Sequence, residues 1–338
     1  AEALDAESQK EVRALLHAVR TRQPELVATL LAANADPNGR DEWGNTLLHN
    51  TVGYFALGLP AQAELQFLRV AEQLIQAKAD LNAQGPRHVT PLMKALEECN
   101  EGVAQTLIEA GACVHTARDD GKTPLMMAAW RGNSEGVRQL IASGARVGDM
   151  DDEGNSVLHF AVRKCLRKVR VYPLLEYLIA AGADLGAVNQ AGATPLCRAL
   201  EDSGTQLAAF LLDRGAPATG KNWKGRTPLM MAAQSGHLKM VQRLLEQKAD
   251  CRALDHKGNS VLHTVADCLV YRDQRPEYEG VFEFLLKAMG GRRHPRQTAT
   301  PEELPEGMSP EAEELRLGSS QVRELARSFE AEIGRLNQ

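Results

Sequence analysis

The sequence has few aromatic residues and no run of apolar residues long enough to cross a membrane. Phe, Trp and Tyr make up only 4% of the 338 residues, so we expect a core of aliphatic side chains. No apolar run approaches the ~18 residues of a membrane span, so membrane insertion is not expected. The net charge of -5 gives the chain no overall positive field that would attract nucleic acid.

The six cysteines lack the spacing of a metal site or a redox motif. No Cys-x-x-Cys and no Cys/His cluster with zinc spacing is present, so we expect neither a metal nor another cofactor. Scattered free thiols are typical of a reducing compartment, which favours the cytoplasm. Because the sequence begins at Ala1 rather than Met, export with removal of a leader stays open as the alternative.

A four-residue phrase recurs along the chain, mostly at steps of 33 residues. It opens with Thr or Ser, has Leu in third place, and has Pro in second place in four of its seven copies. The copies begin at Thr46, Thr90, Thr123, Ser156, Thr194, Thr227 and Ser260. Thr and Ser are favoured immediately before a helix, and Pro is favoured at its first position. Each copy therefore predicts the start of a helix.

Each helix start is followed by a second apolar pattern, with pairs such as Leu107-Ile108 and Leu140-Ile141, and then by a closing phrase such as Ala181-Gly-Ala-Asp184. This 33-residue organisation resembles the ankyrin repeat over about residues 8–290. The resemblance implies an all-α solenoid of helix-turn-helix repeats with short β-hairpin fingers. The excess of Arg over Lys, 27 to 12, indicates a bacterial member of the family.

We expect residues 1–290 to hold about eight repeats and residues 291–338 to form a linker and a C-terminal helix. The repeats are predicted at about 8–39, 40–83, 84–116, 117–149, 150–187, 188–220, 221–253 and 254–290. Long insertions fall in the second, fifth and eighth repeats, and the first resembles an N-terminal cap. The C-terminal helix either caps the array or binds the partner.

Histidine recurs at the fourth position of the phrase in the three long repeats, as His49, His159 and His263. Steps of 110 and 104 residues place them on separate repeats, so they are not expected to converge on one metal. We expect them to form hydrogen bonds within the framework of hairpin and helix. Because no other catalytic motif is present, we predict that the protein is not an enzyme.

Aromatic residues are concentrated in the long repeats, which hold all five tyrosines and five of the seven phenylalanines. Neighbouring helices lie about 8–10 Å apart, so repeats three positions apart are too distant to share one core. Tyr and Arg are also enriched at interface hot spots. The predicted contact residues here are Tyr54, Phe55, Tyr172, Tyr271 and Tyr278. The alternative is that the longer helices need bulkier side chains to fill their own cores.

The three tryptophans are further candidates for contact with a partner. Trp43 and Trp223 stand just before a turn glycine, which places them at hairpin tips. Trp130 follows Ala-Ala at the end of a first helix, facing the concave side of a solenoid. Because exposed tryptophan is uncommon without a use, we predict that all three contact the partner.

Residues 163–170 hold five basic residues in eight positions. We predict that Arg167 and Arg170 meet an acidic partner there, unless the run is only a solvated helix end. Together with residues 292–296, this run leaves a nucleic-acid or membrane-surface binder as an alternative of another class.

The function that the resemblance implies is protein–protein interaction, with a chain that is a monomer when free. We expect one or more protein partners. Since no catalytic or targeting domain is attached, a stoichiometric inhibitor or immunity partner of a bacterial protein is the preferred hypothesis. A general scaffold that bridges two proteins is the alternative within the same class. An enzyme would require a catalytic constellation that the sequence does not show.

Overall fold

The computed structural model describes residues 2–52, 61–164, 171–201, 204–269 and 276–289, together with Glu324. Within these ranges the chain is helical, and its only extended pairings are isolated bridges, which close the turns between Arg40 and Thr46 and between Met150 and Ser156. The expected all-α fold is confirmed. Apart from Glu324, the predicted linker and C-terminal helix lie outside the described residues.

Sixteen α-helices are described, and from α3 onward they alternate between a first and a second helix of each pair. They are α1 (Glu2–Arg20), α2 (Pro24–Ala32), α3 (Leu47–Asn50), α4 (Ala61–Gln76), α5 (Pro91–Glu97), α6 (Glu101–Glu109), α7 (Pro124–Arg131), α8 (Ser134–Ala142), α9 (Val157–Lys164), α10 (Val171–Ala180), α11 (Pro195–Glu201), α12 (Thr205–Asp213), α13 (Pro228–Gln234), α14 (Leu238–Glu246), α15 (Val261–Asp267) and α16 (Pro276–Ala288). A short 3-10 turn, Pro86–His88, precedes α5.

The chain divides into two compact units, Ala1–Gln190 and Ala191–Gln338, called here the N-terminal and C-terminal units. In the N-terminal unit, α7 packs against α5 and α9, and α6 packs against α4 and α8. In the C-terminal unit, α13 packs against α11 and α15, and α14 packs against α16. First helices therefore stack on first helices, and second helices on second helices, within each unit.

The leucine of the repeated phrase forms the centre of each core. Leu92 and Leu125 in the N-terminal unit and Leu229 in the C-terminal unit are buried. The Ala-Ala pairs at 128–129 and 232–233 are also fully buried, because small side chains let adjacent first helices approach closely. The core is mainly aliphatic, as the low aromatic content predicts, although Phe282 of the eighth predicted repeat is also fully buried.

Threonine caps the first helices of the short repeats. The hydroxyl oxygens of Thr90, Thr123 and Thr227 accept the backbone N–H three residues later, at 3.3, 3.4 and 3.3 Å. Each of these helices begins with Pro, which loses no helical hydrogen bond at that position. A cap of this kind is worth about 1 kcal/mol, so the phrase stabilises the helix that it begins.

Histidine takes part in the cap of the long repeats. The Nδ1 atoms of His49, His159 and His263 each accept the backbone N–H of the preceding Thr or Ser cap at 3.1 Å. The ring of His49 also reaches the next repeat, because its Nε2 lies 2.8 Å from the carbonyl oxygen of Val89. The expected structural role of these histidines is confirmed.

The long repeats extend their second helices. The second helices of the short repeats have 9 residues each, whereas α4, α10 and α16 have 16, 10 and 13 residues. The second helices of the long repeats are therefore longer than 9 residues by seven in α4, four in α16 and only one in α10. The inserted residues at 53–60, 165–170 and 270–275 lie outside the described residues.

The environment of His49 makes its cap sensitive to pH. Burial lowers the pKa of His49 from 6.5 to about 4, and the nearby charges of Lys94 and Arg40 also lower it, while the hydrogen bond to Val89 acts in the opposite direction. A proton on Nδ1 would face the backbone N–H of Thr46, which is a donor. The neutral ring, which donates from Nε2 and accepts at Nδ1, is the form that fits both hydrogen bonds.

We expect the stability of the N-terminal unit to fall as the pH drops from 7 toward 4, and less steeply for His49→Gln. Between pH 6.5 and 4 the unfolded chain binds a proton at His49 that the folded chain excludes, so folding loses up to about 3 kcal/mol over that window. Urea unfolding of both proteins at pH 7.0 and 4.5, followed by far-UV circular dichroism, measures the difference. Equal losses of stability in the two proteins would contradict the assignment.

Candidate partner-binding surface

Trp43 is exposed at the tip of the first hairpin turn. Its side chain is 62% exposed, and the guanidinium of Arg20 lies 5.2 Å from the centre of its ring. The turn beneath it is fixed by Asp41, whose carboxylate accepts the backbone N–H of Trp43 at 3.0 Å and that of Asn45 at 2.8 Å. Arg20 also pairs with Asp41 at 3.0 Å. The tryptophan therefore stands on a turn whose backbone is already ordered.

Trp223 lies at a hairpin tip of the C-terminal unit, one turn position earlier than Trp43: it directly follows Asn222, whereas Trp43 comes two residues after Asp41. It is 63% exposed, and the ammonium of Lys224 lies 4.5 Å from the centre of its ring. Here Asn222 fixes the turn by accepting the backbone N–H of both Lys224 and Arg226 at 3.0 Å. Gly225 has a φ of +74°, which a residue with a side chain adopts only with strain. Both hairpin-tip tryptophans are thus exposed, as the sequence predicts.

Hydrogen bonds between successive turns align the hairpins within each unit. In the N-terminal unit the backbone N–H of Asp152 donates to the carbonyl of Asp120 at 3.2 Å. In the C-terminal unit the N–H of His256 donates to the carbonyl of Lys224 at 3.0 Å. The turns of each unit therefore form a continuous row, and the side chains at their tips have fixed spacings.

Trp130 lies in the row of first helices rather than at a turn. It is the penultimate residue of α7, is half-buried, and has the guanidinium of Arg131 5.3 Å from the centre of its ring. The prediction that it contacts a partner stays a prediction, and the side chain has less surface to offer than the two hairpin tryptophans.

The residues predicted from the insertions have different outcomes. Tyr172, near the start of α10, is half-buried, and its contact role stays a prediction. Five predicted contact residues lie outside the described residues: Tyr54, Phe55, Arg167, Arg170 and Tyr271. For them the structure neither adds nor removes support.

Tyr278 is a structural residue in this fold, which corrects the contact role predicted for it. Its side chain is only 5% exposed, and its hydroxyl donates to the carbonyl of Gln234 at the end of α13 over 3.1 Å. The ring also lies against Gly236, where an added Cβ would come within 3.3 Å of it. The alternative interpretation, in which the aromatic residues of a long repeat fill its own core, is right for this tyrosine.

Two basic residues next to the tryptophans were missed by the sequence reasoning. Arg20 belongs to α1 and reaches Trp43 only through the fold, so no local pattern predicts that contact. Lys224 is adjacent to Trp223, and its hairpin reads Lys-Asn-Trp-Lys-Gly-Arg. The concentration of positive charge in that single turn was the available signal.

Across the described ranges, no group of three or more His, Cys, Asp and Glu side chains is placed to hold a metal ion. In the same part of the chain, no helix is both long and apolar enough to cross a membrane.

The repeats match a known family over much of the chain. The family described as ankyrin repeats (3 copies) matches residues 59–151, 115–172 and 158–255. These matches overlap and together cover more than half of the 338 residues. The chain belongs to the ankyrin-repeat family. Among curated proteins, no sequence matches it.

Ankyrin repeats bind other proteins, and this ankyrin-repeat protein is accordingly a protein–protein interaction module. Members of the family are typically non-enzymatic. The bounds of the eight repeats and the bacterial source stay predictions.

We expect Tyr278→Phe to lower the stability of the C-terminal unit by about 1 kcal/mol, because it leaves the carbonyl of Gln234 without this donor. Trp223→Ala serves as the contrast, since removal of an exposed side chain changes stability by less than about 0.5 kcal/mol. Thermal and urea unfolding of the two variants and the wild type measure both effects. A larger loss from Trp223→Ala than from Tyr278→Phe would reverse the two assignments.

Proposed function

We propose that this ankyrin-repeat protein is a stoichiometric inhibitor or immunity partner, which binds a folded protein through its exposed hairpin turns. The observation that supports the proposal most is the pair of exposed tryptophans, Trp43 and Trp223, each at the tip of a hairpin turn. Large exposed aromatic side chains are enriched at interface hot spots and are uncommon elsewhere on protein surfaces.

The turns lower the cost of binding because they are ordered before a partner arrives. Asp41 and Asn222 each accept two backbone N–H groups of their own turn. Since the backbone is fixed, association loses little further conformational entropy at these positions. The cations beside each ring, Arg20 and Lys224, add polar contacts at the edge of an apolar anchor.

Inhibition by such a surface needs no chemistry from the inhibitor. It needs only a bound surface that covers a functional site of the partner for as long as the complex lasts. An ordered turn with an aromatic anchor in each unit supplies a long residence time, because interface quality acts mostly on the dissociation rate.

A scaffold that bridges two proteins is the second candidate. The observation in its favour is that each of the two units carries one exposed hairpin tryptophan. In a scaffold, each unit would hold its own partner, and the two substitutions would affect different proteins.

We expect Trp43→Ala and Trp223→Ala each to weaken partner binding by 10- to 100-fold, about 1.4–2.7 kcal/mol. The partner is first captured from the native host with the wild-type chain, identified by mass spectrometry and purified, and affinities are then measured by calorimetry. Met150→Ala is the matched control, because Met150 is also an exposed apolar residue of a hairpin, at 49% exposure, and lacks an aromatic ring. Equal losses from all three variants would remove the special role of the tryptophans.

The two candidate functions differ in stoichiometry and in effect. For an inhibitor, the partner's activity falls in proportion to added protein and reaches its minimum at one equivalent. For a scaffold, the activity is retained, and size-exclusion chromatography with light scattering finds a complex of three different chains. A partner that stays fully active in a one-to-one complex would exclude the inhibitor.

A further inference from the structure

A cavity of about 640 Å³ opens in the C-terminal unit beside Trp223. Its wall combines four elements: the end of α11 with Glu201, the turn with Trp223 and Lys224, the end of α13 with Gln234, and Tyr278 of α16. This volume lies within the roughly 300–1,000 Å³ of typical ligand sites. The cavity therefore has room for one or two side chains of a bound segment.

The hairpin that borders the cavity is the most basic of the seven hairpins in the chain. Residues 221–227 contain Lys221, Lys224 and Arg226 and no acidic residue, a formal charge of +3. With His neutral, the corresponding segments at the other six hairpins carry between -3, at residues 150–156, and +1, at residues 84–90. The positive charge is local to this turn, since the whole chain is acidic.

Within the described residues, the two lysines of this turn are left without a counter-ion, whereas Arg226 has one. Arg226 donates from Nη1 to the side chain of Gln234 at 2.5 Å, and its buried Nε has no hydrogen-bond acceptor. The same Nε pairs with the carboxylate of Asp255 at 3.9 Å, too far for a hydrogen bond. In the described part of the chain, Lys224 forms no ion pair and is exposed over the ring of Trp223.

The carboxylate in the cavity wall is already neutralised. Glu201 accepts from the guanidinium of Arg198 at 2.9 Å, so it opposes the field of the hairpin only weakly. The apolar part of the wall is formed by Leu200 and Met231 together with the ring of Trp223. A positive side and an apolar side thus meet in one cavity.

We propose that this cavity binds an acidic segment of the protein partner. One Asp or Glu side chain of that segment lies against Lys224 and Arg226, and an adjacent apolar side chain lies against Trp223. The inference rests on the proposed function, because it assumes that the partner is a protein. A carboxylate supplies a counter-ion for the exposed Lys224, which forms no ion pair among the described residues, and bonds between ionised groups are the stronger class of hydrogen bond.

Charge and size favour an acidic peptide over a nucleic acid. A nucleic-acid strand is held by a basic groove that tracks several phosphates. Here three cations lie on one turn, and the next hairpin, residues 254–260, has no net charge with His neutral. A single carboxylate with an apolar neighbour matches the cavity better than a continuous phosphate backbone.

The test uses the full-length chain and a fluorescein-labelled peptide of sequence Gly-Glu-Leu-Glu-Glu-Leu-Gly. Its matched control has Gln in place of each Glu. We expect the acidic peptide to bind at least 10-fold more tightly than the Gln peptide, as measured by fluorescence anisotropy at physiological salt. Lys224→Gln, Arg226→Gln and Trp223→Ala are each expected to weaken binding by about fivefold or more.

Lys257→Gln is the control for general charge. Lys257 holds the same turn position as Lys224 one hairpin later and is exposed, so its removal is expected to leave affinity within twofold. Circular dichroism and thermal unfolding check each variant. If Arg226→Gln unfolds, the exposed Lys224 and Trp223 still decide the outcome.

Several results would overturn the inference. They are equal binding of the two peptides, equal losses from Lys224→Gln and Lys257→Gln, and tighter binding of a labelled seven-nucleotide single-stranded DNA.

A further arm addresses the chain's own acidic segment, residues 301–315, which carries six glutamates. If the acidic peptide binds only after these six glutamates are changed to Gln, the cavity is occupied by residues 301–315 of the chain itself and not by a partner.

Failure of the inference and failure of the proposed function are separable. If the captured partner still requires Trp43 and Trp223 but the acidic peptide does not bind, the inference fails and the proposed function stands. If the peptide binds as expected but titration of the captured partner shows no inhibition, the cavity assignment stands and the inhibitor proposal fails.

Discussion

The structure depends on one constraint: each helix pair buries its apolar side only against the pairs before and after it. Leu92 and Leu125 are buried because α5 and α7 cover each other's cores. A stack of this kind leaves its connections at the edges, so the hairpin turns cannot enter a core. An aromatic side chain at the tip of such a turn remains in solvent, and Trp43 and Trp223 are exposed for that reason.

The parts of the fold that could be predicted from the sequence are those with local partners. Thr90 and Thr123 cap helices through bonds to residues three positions later, and the turn at Trp43 is fixed by Asp41 two positions earlier. Long-range contacts could not be predicted in this way. The hydroxyl of Tyr278 donates to the backbone carbonyl of Gln234, 44 residues upstream. The helical spacing of apolar residues can indicate that Tyr278 faces inward, but it does not identify Gln234 as the acceptor.

The long repeats have His at the fourth position of the phrase, where the short repeats have Met or Cys. The caps show what the histidine adds. A methionine at the fourth position of the phrase, as in Met126, contributes only its backbone N–H to the threonine cap. A histidine there also accepts the N–H of the cap residue, and in His49 its second nitrogen reaches the carbonyl of Val89 in the following repeat. The long second repeat is thereby joined to its neighbour by a polar bond from Nε2, while the acceptance of the Thr46 N–H at Nδ1 requires the neutral ring that burial favours.

In the two hairpins that carry Trp43 and Trp223, different positions hold the backbone and present the exposed side chains. The first turn residue, Asp41 or Asn222, fixes the backbone by accepting two N–H groups, and the glycine near the end of the turn allows the left-handed conformation. The one or two residues between them point outward and make no demand on the backbone. Those positions hold Glu-Trp in one turn and Trp-Lys in another. The same frame therefore accepts acidic, basic or aromatic tips, and the proposed interface assigns the choice of partner to a few exposed turn residues.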